Sequence, residues 1–60
     1  MDNAEMKYWD IDFKKKGCPS RFFAEVPGAT MMQAYLLAQS WLRIEGEIGY
    51  VPVKARRVEK

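Results

Sequence analysis

The chain has 60 residues, of which 48% are hydrophobic and 30% are charged, and its formal net charge is +2. A chain of this length buries only about 60% of the surface that its unfolded form exposes, so it forms at most one small domain. The composition excludes global disorder, and the net charge is too small to indicate nucleic-acid binding by itself. No apolar run reaches the roughly 18 residues that a membrane span requires.

Cys18 is the single cysteine, so no internal disulfide can form and the chain suits a reducing compartment. The leading residues, MDNAEMK, are polar and do not resemble a signal peptide. We therefore expect one domain over residues 1–60, with a flexible lead-in over residues 1–6, in the cytoplasm.

The first half of the chain contains two segments that alternate apolar and polar residues, as half-buried strands do. They span residues 7–13 and 20–26, and Gly17 and Pro19 between them indicate the turn of a hairpin. The residues expected to face the core are Trp9, Ile11 and Phe13 in the first segment, and Phe22, Ala24 and Val26 in the second. The residues expected on the opposite face are Tyr8, Asp10, Asp12, Arg21, Phe23 and Glu25.

Residues 30–46 are predicted to form the helix. Thr30 is a suitable N-cap, Gln33 completes the Thr-x-x-Gln pattern of a capping box, and Gly46 suits the C-terminal stop. At about 100° per residue, one face collects Met31, Ala34, Leu37, Ala38, Trp41 and Leu42. Met32 and Leu36 fall one turn apart among the polar residues. This second apolar stripe has three interpretations: a partner-binding surface, a homodimer contact, or scattered surface residues.

Residues 50–57 are predicted to form a third strand. The residues expected to face the core are Val51, Val53 and Ala55, and those expected to face out are Pro52, Lys54 and Arg56. Pro52 suits an edge position, because proline cannot donate a ladder hydrogen bond. We expect an α+β fold with β-β-α-β order, a three-stranded antiparallel sheet in the order 2-1-3, and the helix on one face. In this arrangement Trp41 packs near Trp9 and Phe22 in the middle of the core.

Asp10 and Asp12 share one face of the first strand, with side chains about 7 Å apart. Such a carboxylate pair suits a hard cation or acid–base chemistry. We favour cross-strand ion pairing with Arg21, Lys54 and Arg56 instead, because a small open sheet offers no pocket. With no histidine, no glycine-rich phosphate loop and one cysteine, the sequence predicts no enzyme activity and no metal or cofactor site.

Basic residues cluster at the hairpin turn and near the end of the chain, which supports a second hypothesis of nucleic-acid binding. In it, lysines of the turn contact phosphates while two aromatic rings on the open sheet stack on bases. The residues assigned to this site are Lys14, Lys15, Lys16, Tyr8 and Phe23. The alternative is a solvated hairpin tip, and acidic residues on the same sheet face would repel phosphates.

Four short pieces of the chain share their order with a known family. Lys7-Tyr8-Trp9 opens the first strand as Lys-Phe-Trp does there, and Glu25-Val26-Pro27 resembles its Glu-Val-Pro. An Ala- and Leu-rich helix ending near Trp41 and a basic final strand, Val53 to Arg57, match it as well. Together these pieces resemble the small bacteriophage proteins that inhibit host bacterial RNA polymerase.

The resemblance implies that the protein binds the polymerase near its downstream DNA channel and blocks initiation complexes inside the host cell. Lys54 and Arg56, with Arg57 beside them, would make the contact. The family's helix exposes several acids, whereas the exposed helix face here offers Met32, Gln33, Leu36, Gln39 and Arg43. The chain is also similar to the small DNA-binding domains of some phage and transposon integrases, in which all three strands precede the helix.

Three hypotheses of function follow from these features. The first is a phage or mobile-element protein that binds a host protein and modulates it, as a transcription inhibitor does. Its candidate partner-binding residues are Lys54, Arg56, Arg57, Met32, Leu36 and Arg43. The alternatives are a small nucleic-acid-binding module and an accessory protein that forms a homodimer through its helix.

Overall fold

The computed structural model describes residues 6–59, which form three strands and one helix. They are β1 (Lys7–Lys14), β2 (Arg21–Gly28), α1 (Met31–Ile44) and β3 (Val51–Arg57). The strands form an antiparallel sheet in the order β2-β1-β3, with α1 packed on one face. This confirms the predicted α+β fold, the β-β-α-β order and the strand order 2-1-3. Of the predicted lead-in over residues 1–6, all but Met6 lies outside the described residues.

Both ends of α1 are closed by the residues that the sequence indicated. The Thr30 hydroxyl accepts a hydrogen bond from the Gln33 main-chain N–H at 3.2 Å. The Gln33 side chain accepts one from the Ala29 N–H at 3.0 Å, one residue earlier than in a standard capping box. At the other end, Gly46 has φ +81° and donates to the Arg43 carbonyl, which forms a Schellman motif. Within residues 6–59, α1 is too short and too polar to cross a bilayer.

β2 contains a bulge that the alternation of its sequence conceals. Trp9 pairs with Val26 and Ile11 pairs with Phe23, so two β2 residues stand opposite Asp10 alone. One of them, Glu25, has φ +53°, a left-handed conformation that is unusual for a side chain of this kind. The Asp10 carboxylate accepts a hydrogen bond from the Glu25 N–H at 3.0 Å and so stabilises the bulge.

The bulge reverses the alternation over the first half of β2, and four predicted orientations are therefore wrong. Phe23 packs inward against Phe13 and Trp41, with ring centroids 5.8 Å apart in both pairs. Phe22 is instead 57% exposed on the open sheet face, and Ala24 is exposed as well. Arg21 lies opposite Phe13, which places its side chain on the helix side of the sheet. Val26 lies beyond the bulge and is buried as predicted.

β3 contains a second bulge. Phe13 pairs with Pro52 and its neighbour Asp12 pairs with Lys54, so Val53 has no partner residue on β1. Val53 is the extra residue, and the bulge lies next to the proline, which has no N–H for the ladder. Val51 and Val53 are 54% and 52% exposed, so their predicted place in the core is wrong. Ala55 was also predicted to face inward; it packs against the core cluster.

The core lies between the sheet and a small-residue face of α1. Its buried members are Ile11, Phe13, Val26, Ala34, Ala38, Leu42 and Tyr50. A Cβ at Gly28 would lie 2.7 Å from the Ala34 nitrogen, so glycine permits this close approach of β2 to α1. The helix contacts β2 more extensively than β1 or β3. Trp41 is therefore only partly buried, over Phe23, and the predicted central Trp41–Trp9–Phe22 cluster is wrong.

Tyr50 is the core residue that the sequence interpretation missed. It was assigned to the start of the third strand, but it precedes β3 and is 5% exposed. Its hydroxyl donates a hydrogen bond to the Pro19 carbonyl at 2.7 Å, and its own carbonyl accepts one from Gln39 at 3.4 Å. Tyr50 thus joins the hairpin, the helix and the loop between α1 and β3.

Candidate protein-binding surfaces

The open sheet face has paired charges at its centre. The Asp10 carboxylate, already bonded to the Glu25 N–H, lies 3.5 Å from the Arg56 guanidinium. Asp12 stands opposite Lys54 on β3. With Phe22 these residues line a shallow recess of about 120 Å³. Within residues 6–59, no three His, Cys, Asp or Glu side chains are grouped so as to hold a metal ion. The geometry supports cross-strand pairing with Arg56 as the role of Asp10. The predicted pairing of the aspartates with Arg21 is wrong, because Arg21 lies on the helix side of the sheet and pairs with Glu45 and Glu47.

β3 forms one edge of the sheet and presents its basic residues on two sides. Lys54 and Arg56 lie opposite Asp12 and Asp10, on the open face, and both are exposed. Arg57 lies opposite Trp9, so its side chain points to the helix side. The structure therefore brings Lys54 and Arg56 together on one face and separates Arg57 from them.

An apolar groove runs between α1 and β3, because the helix lies closer to β2. Its volume is about 220 Å³, and its lining residues are Met31, Tyr35, Pro52, Val53, Lys54 and Ala55. Met31 was predicted to belong to the core, but it is 49% exposed at the groove. Lys54 lines both this groove and the recess on the open face, so it connects the two. The helical and strand periodicities gave no signal for the groove, which depends on where the helix sits.

The outer face of α1 carries the second predicted surface. Met32 and Leu36 are 57% and 54% exposed, and Arg43 is exposed further along the helix. Ile44 and Ile48, which the sequence interpretation did not single out, extend the apolar surface and are even more exposed. A recess of about 410 Å³ lies among Ser40, Arg43, Ile44 and Ile48.

The six predicted partner-binding residues do not form one surface. Met32, Leu36 and Arg43 lie on the side of α1 away from the core, whereas Lys54 and Arg56 lie on the sheet face away from α1. The core of the domain separates the two groups. A single flat partner surface can therefore contact one group or the other.

The residues of the nucleic-acid hypothesis are not brought together either. Phe23 is packed against the core and the Arg21 guanidinium, 5.5 Å from its ring centroid, so its predicted place on the open face is wrong. Lys15 donates a hydrogen bond to the Ile48 carbonyl and lies over the Tyr50 ring. Tyr8 lies six residues from Lys14 along β1, about 20 Å away at strand spacing.

The loop after α1 is held by charged and buried groups with perturbed pKa values. Arg21 makes ion pairs with Glu47 at 2.6 Å and Glu45 at 3.1 Å, and these hydrogen bonds raise the pKa of its guanidinium. Burial raises the pKa of the Tyr50 phenol above its usual value. Both groups fasten the loop to the hairpin.

Comparisons with protein-family models, with curated proteins and with solved structures found no match for this chain. The resemblance to the phage polymerase inhibitors stays a prediction.

Proposed function

We propose that this chain is a binding protein that docks on an acidic, partly apolar surface of a host protein through β3. The observation that carries the proposal is the position of Lys54, an exposed cation shared by the apolar groove and the open-face recess. An interface of this kind combines a desolvated apolar centre with a charged rim that selects the partner.

The main chain of β3 offers a further means of contact. The Val58 N–H donates to the Tyr8 carbonyl at 2.8 Å, so the main-chain groups of Val58 point toward β1. Main-chain groups alternate in direction along a strand, so Ala55 and Arg57 direct their N–H and C=O groups to the outer edge of the sheet. An extended partner segment can add to such an edge, with its acidic side chains meeting Arg56 or Arg57. Pro52 and the bulge at Val53 confine this pairing to the second half of β3.

Bacterial RNA polymerase is the first partner to test, because the sequence resemblance implies it. In that case the protein acts as a transcription inhibitor of phage or mobile-element origin, and the basic residues of β3 make the contact. The apolar outer face of α1 replaces the acidic helix of the family and does not enter this proposal.

The test compares Arg56→Glu with Lys16→Glu, which makes the same charge change at an exposed position of the hairpin turn. Tagged proteins are incubated with nuclease-treated bacterial lysate, and retained proteins are quantified by mass spectrometry. We expect Arg56→Glu to lose a stoichiometric host partner by about tenfold or more, and Lys16→Glu to retain it. Equal retention by both variants would show that β3 is not the contact surface.

A second measurement addresses the identity of the partner. Purified bacterial RNA polymerase is assayed for promoter-dependent transcription with wild-type protein, Arg56→Glu and Lys16→Glu. We expect inhibition by the wild type and by Lys16→Glu only. Absence of inhibition and of binding to the purified enzyme would exclude the polymerase while leaving another acidic partner to be read from the mass spectra.

A further inference from the structure

The exposed side of α1 carries a row of residues at four-residue intervals, inclined to the helix axis. The residues of this row follow one another by slightly more than one turn and form a single ridge on the helix surface: Met32, Leu36, Ser40 and Ile44. Ile48, in the loop after the helix, lines the same recess as Ser40 and Ile44 and extends the ridge. We call these five residues the helix ridge. Its apolar members are 54–82% exposed, which is unusual for so many large side chains on one helix.

The helical part of the ridge is symmetric about Ser40. Within α1, Leu36 and Ile44 lie four residues before and after Ser40, about 6 Å along the axis on either side. A two-fold axis through Ser40 would therefore place Leu36 against Ile44 of an antiparallel second copy. This is the self-complementary pattern that an isologous interface requires.

Ser40 suits the centre of such an interface. Its small side chain lets two helix backbones approach closely, and its hydroxyl already donates a hydrogen bond to the Leu37 carbonyl at 2.6 Å. Burial of Ser40 therefore leaves no unpaired donor. The recess of about 410 Å³ beside Ser40 and Ile44 has room for the Leu36 side chain of a second copy.

The charges at the two helix ends are complementary in the antiparallel arrangement. The first turn of α1 has no acidic residue, so the positive end of its dipole is not neutralised there. Glu45 and Glu47 follow the other end, where both pair with Arg21 of their own chain and keep side chains that are 50% and 39% exposed. Two carboxylates on one guanidinium leave a net negative charge, and antiparallel pairing brings the helix N-terminus of the second copy toward it. Arg43 is the charged residue beside the ridge, and it lies off the axis.

We propose that a second copy of this chain docks on the helix ridge, giving an antiparallel homodimer with its two-fold axis at Ser40. The helix is about 21 Å long at 1.5 Å per residue, so the contact falls below the roughly 800 Å² per partner of a standard interface. The dimer is therefore expected to be weak and reversible, as small interfaces are. β3 lies outside this contact, so dimerisation and the proposed host binding are compatible.

The first test is sedimentation equilibrium of the full chain from about 5 µM to 1 mM, under reducing conditions because Cys18 is exposed. Leu36→Glu is compared with Phe22→Glu, since the two side chains are 54% and 57% exposed on opposite sides of the domain. We expect a monomer–dimer equilibrium for wild type and Phe22→Glu, and monomer alone for Leu36→Glu, with circular dichroism verifying the fold. A monomeric wild type throughout this range, or a dimer lost only in Phe22→Glu, would overturn the proposal.

Disulfide trapping tests the axis without relying on a disruptive variant. In a Cys18→Ser background, Ser40→Cys is expected to cross-link with itself under mild oxidation. A mixture of Leu36→Cys and Ile44→Cys chains is expected to form the mixed dimer faster than Leu36→Cys forms its own. Preferential cross-linking of Leu36→Cys with itself would mean that the two-fold axis lies at Leu36 or that the helices run parallel, and either result would contradict the proposed axis at Ser40.

Discussion

At the scale of single residues, Tyr50 shows how one side chain can join three parts of a small domain. Its ring fills the core, its hydroxyl bonds to the hairpin turn, and its carbonyl accepts a hydrogen bond from Gln39 on the helix. Burial raises the pKa of its phenol. Since the folded state holds this proton more tightly than the unfolded state, Tyr50 makes the free energy of unfolding fall at alkaline pH.

The sign of this linkage gives a prediction. The unfolded chain loses the Tyr50 proton at about pH 10, whereas the folded chain keeps it to higher pH. Stability from Tyr50 is therefore fully present below about pH 10 and falls as the pH rises further. We expect Tyr50→Phe to be less stable than wild type at pH 7, because the bond to Pro19 is lost, and the difference to shrink above pH 10. Urea denaturation across this range measures it, and a constant difference would contradict the assignment.

Two neighbouring helix residues, Trp41 and Leu42, differ in their degree of burial. Leu42 is 1% exposed in the core, whereas Trp41 is partly buried at the edge against Phe23. We expect Leu42→Ala to cost about 2–5 kcal/mol, enough to unfold most of a domain this small. Trp41→Phe should retain the fold, since a smaller ring still covers Phe23. Thermal unfolding followed by circular dichroism tests both. A stable Leu42→Ala together with an unfolded Trp41→Phe would mean that the helix is rotated from its described position.

At the scale of elements, the two bulges decide which side chains each edge strand presents. Each bulge adds one residue to the outer strand. Because side chains alternate between the two faces of a sheet, one extra residue moves those on one side of the bulge to the opposite face. In β2 the exchange buries Phe23 and exposes Phe22; in β3 it leaves Val53 beside the groove. The surface of β3, on which the host-binding proposal rests, is thus a product of a strand irregularity and of the helix position.

Asp10 and Asp12 offer a matched test of the β2 bulge. Both are partly exposed on the same face of β1, but only Asp10 accepts the hydrogen bond from the Glu25 N–H, besides its ion pair with Arg56. We expect Asp10→Ala to lower the free energy of unfolding by about 1–2 kcal/mol more than Asp12→Ala does. Chemical denaturation measures the difference. Equal losses would show that the carboxylate does not stabilise the bulge.

At the scale of the whole molecule, the domain presents different chemistry on its two sides. Lys54 and Arg56 lie with the open sheet face on one side, and the apolar helix ridge lies on the other. The helix lies toward β2, which leaves β3 partly uncovered and creates the groove. A domain with one core layer cannot cover both faces of its sheet and both sides of its helix.

This separation predicts that the two proposed contacts respond independently to mutation. Leu36→Glu should abolish self-association and keep host binding within about twofold, whereas Arg56→Glu should do the reverse. Variants at sites that share no partners usually act additively. Pull-down and sedimentation on the same preparations provide the comparison. Loss of both properties in either folded variant would mean that host binding requires the dimer.

Local signals were sufficient for the order of the elements and for the two ends of the helix. Alternation in two segments indicated the hairpin, Thr30 and Gly46 marked the helix ends, and Pro52 indicated an edge strand. These features depend on backbone groups within a few residues, so the sequence by itself determined them, and chain connectivity then restricted the strand order to 2-1-3. The exposure of Met32 and Leu36 also followed from helical periodicity alone.

Only the tertiary structure decided which side chains face which neighbour. The bulges at Glu25 and Val53 exist because β1 pairs with both strands in particular registers, and no local pattern reports an extra residue in a partner strand. The burial of Tyr50 depends on the hairpin turn closing over it through the Pro19 carbonyl. The groove at β3 likewise depends on the small face of α1 seating against β2. Each of these features is a contact between residues distant in the chain, where packing overrides local preference.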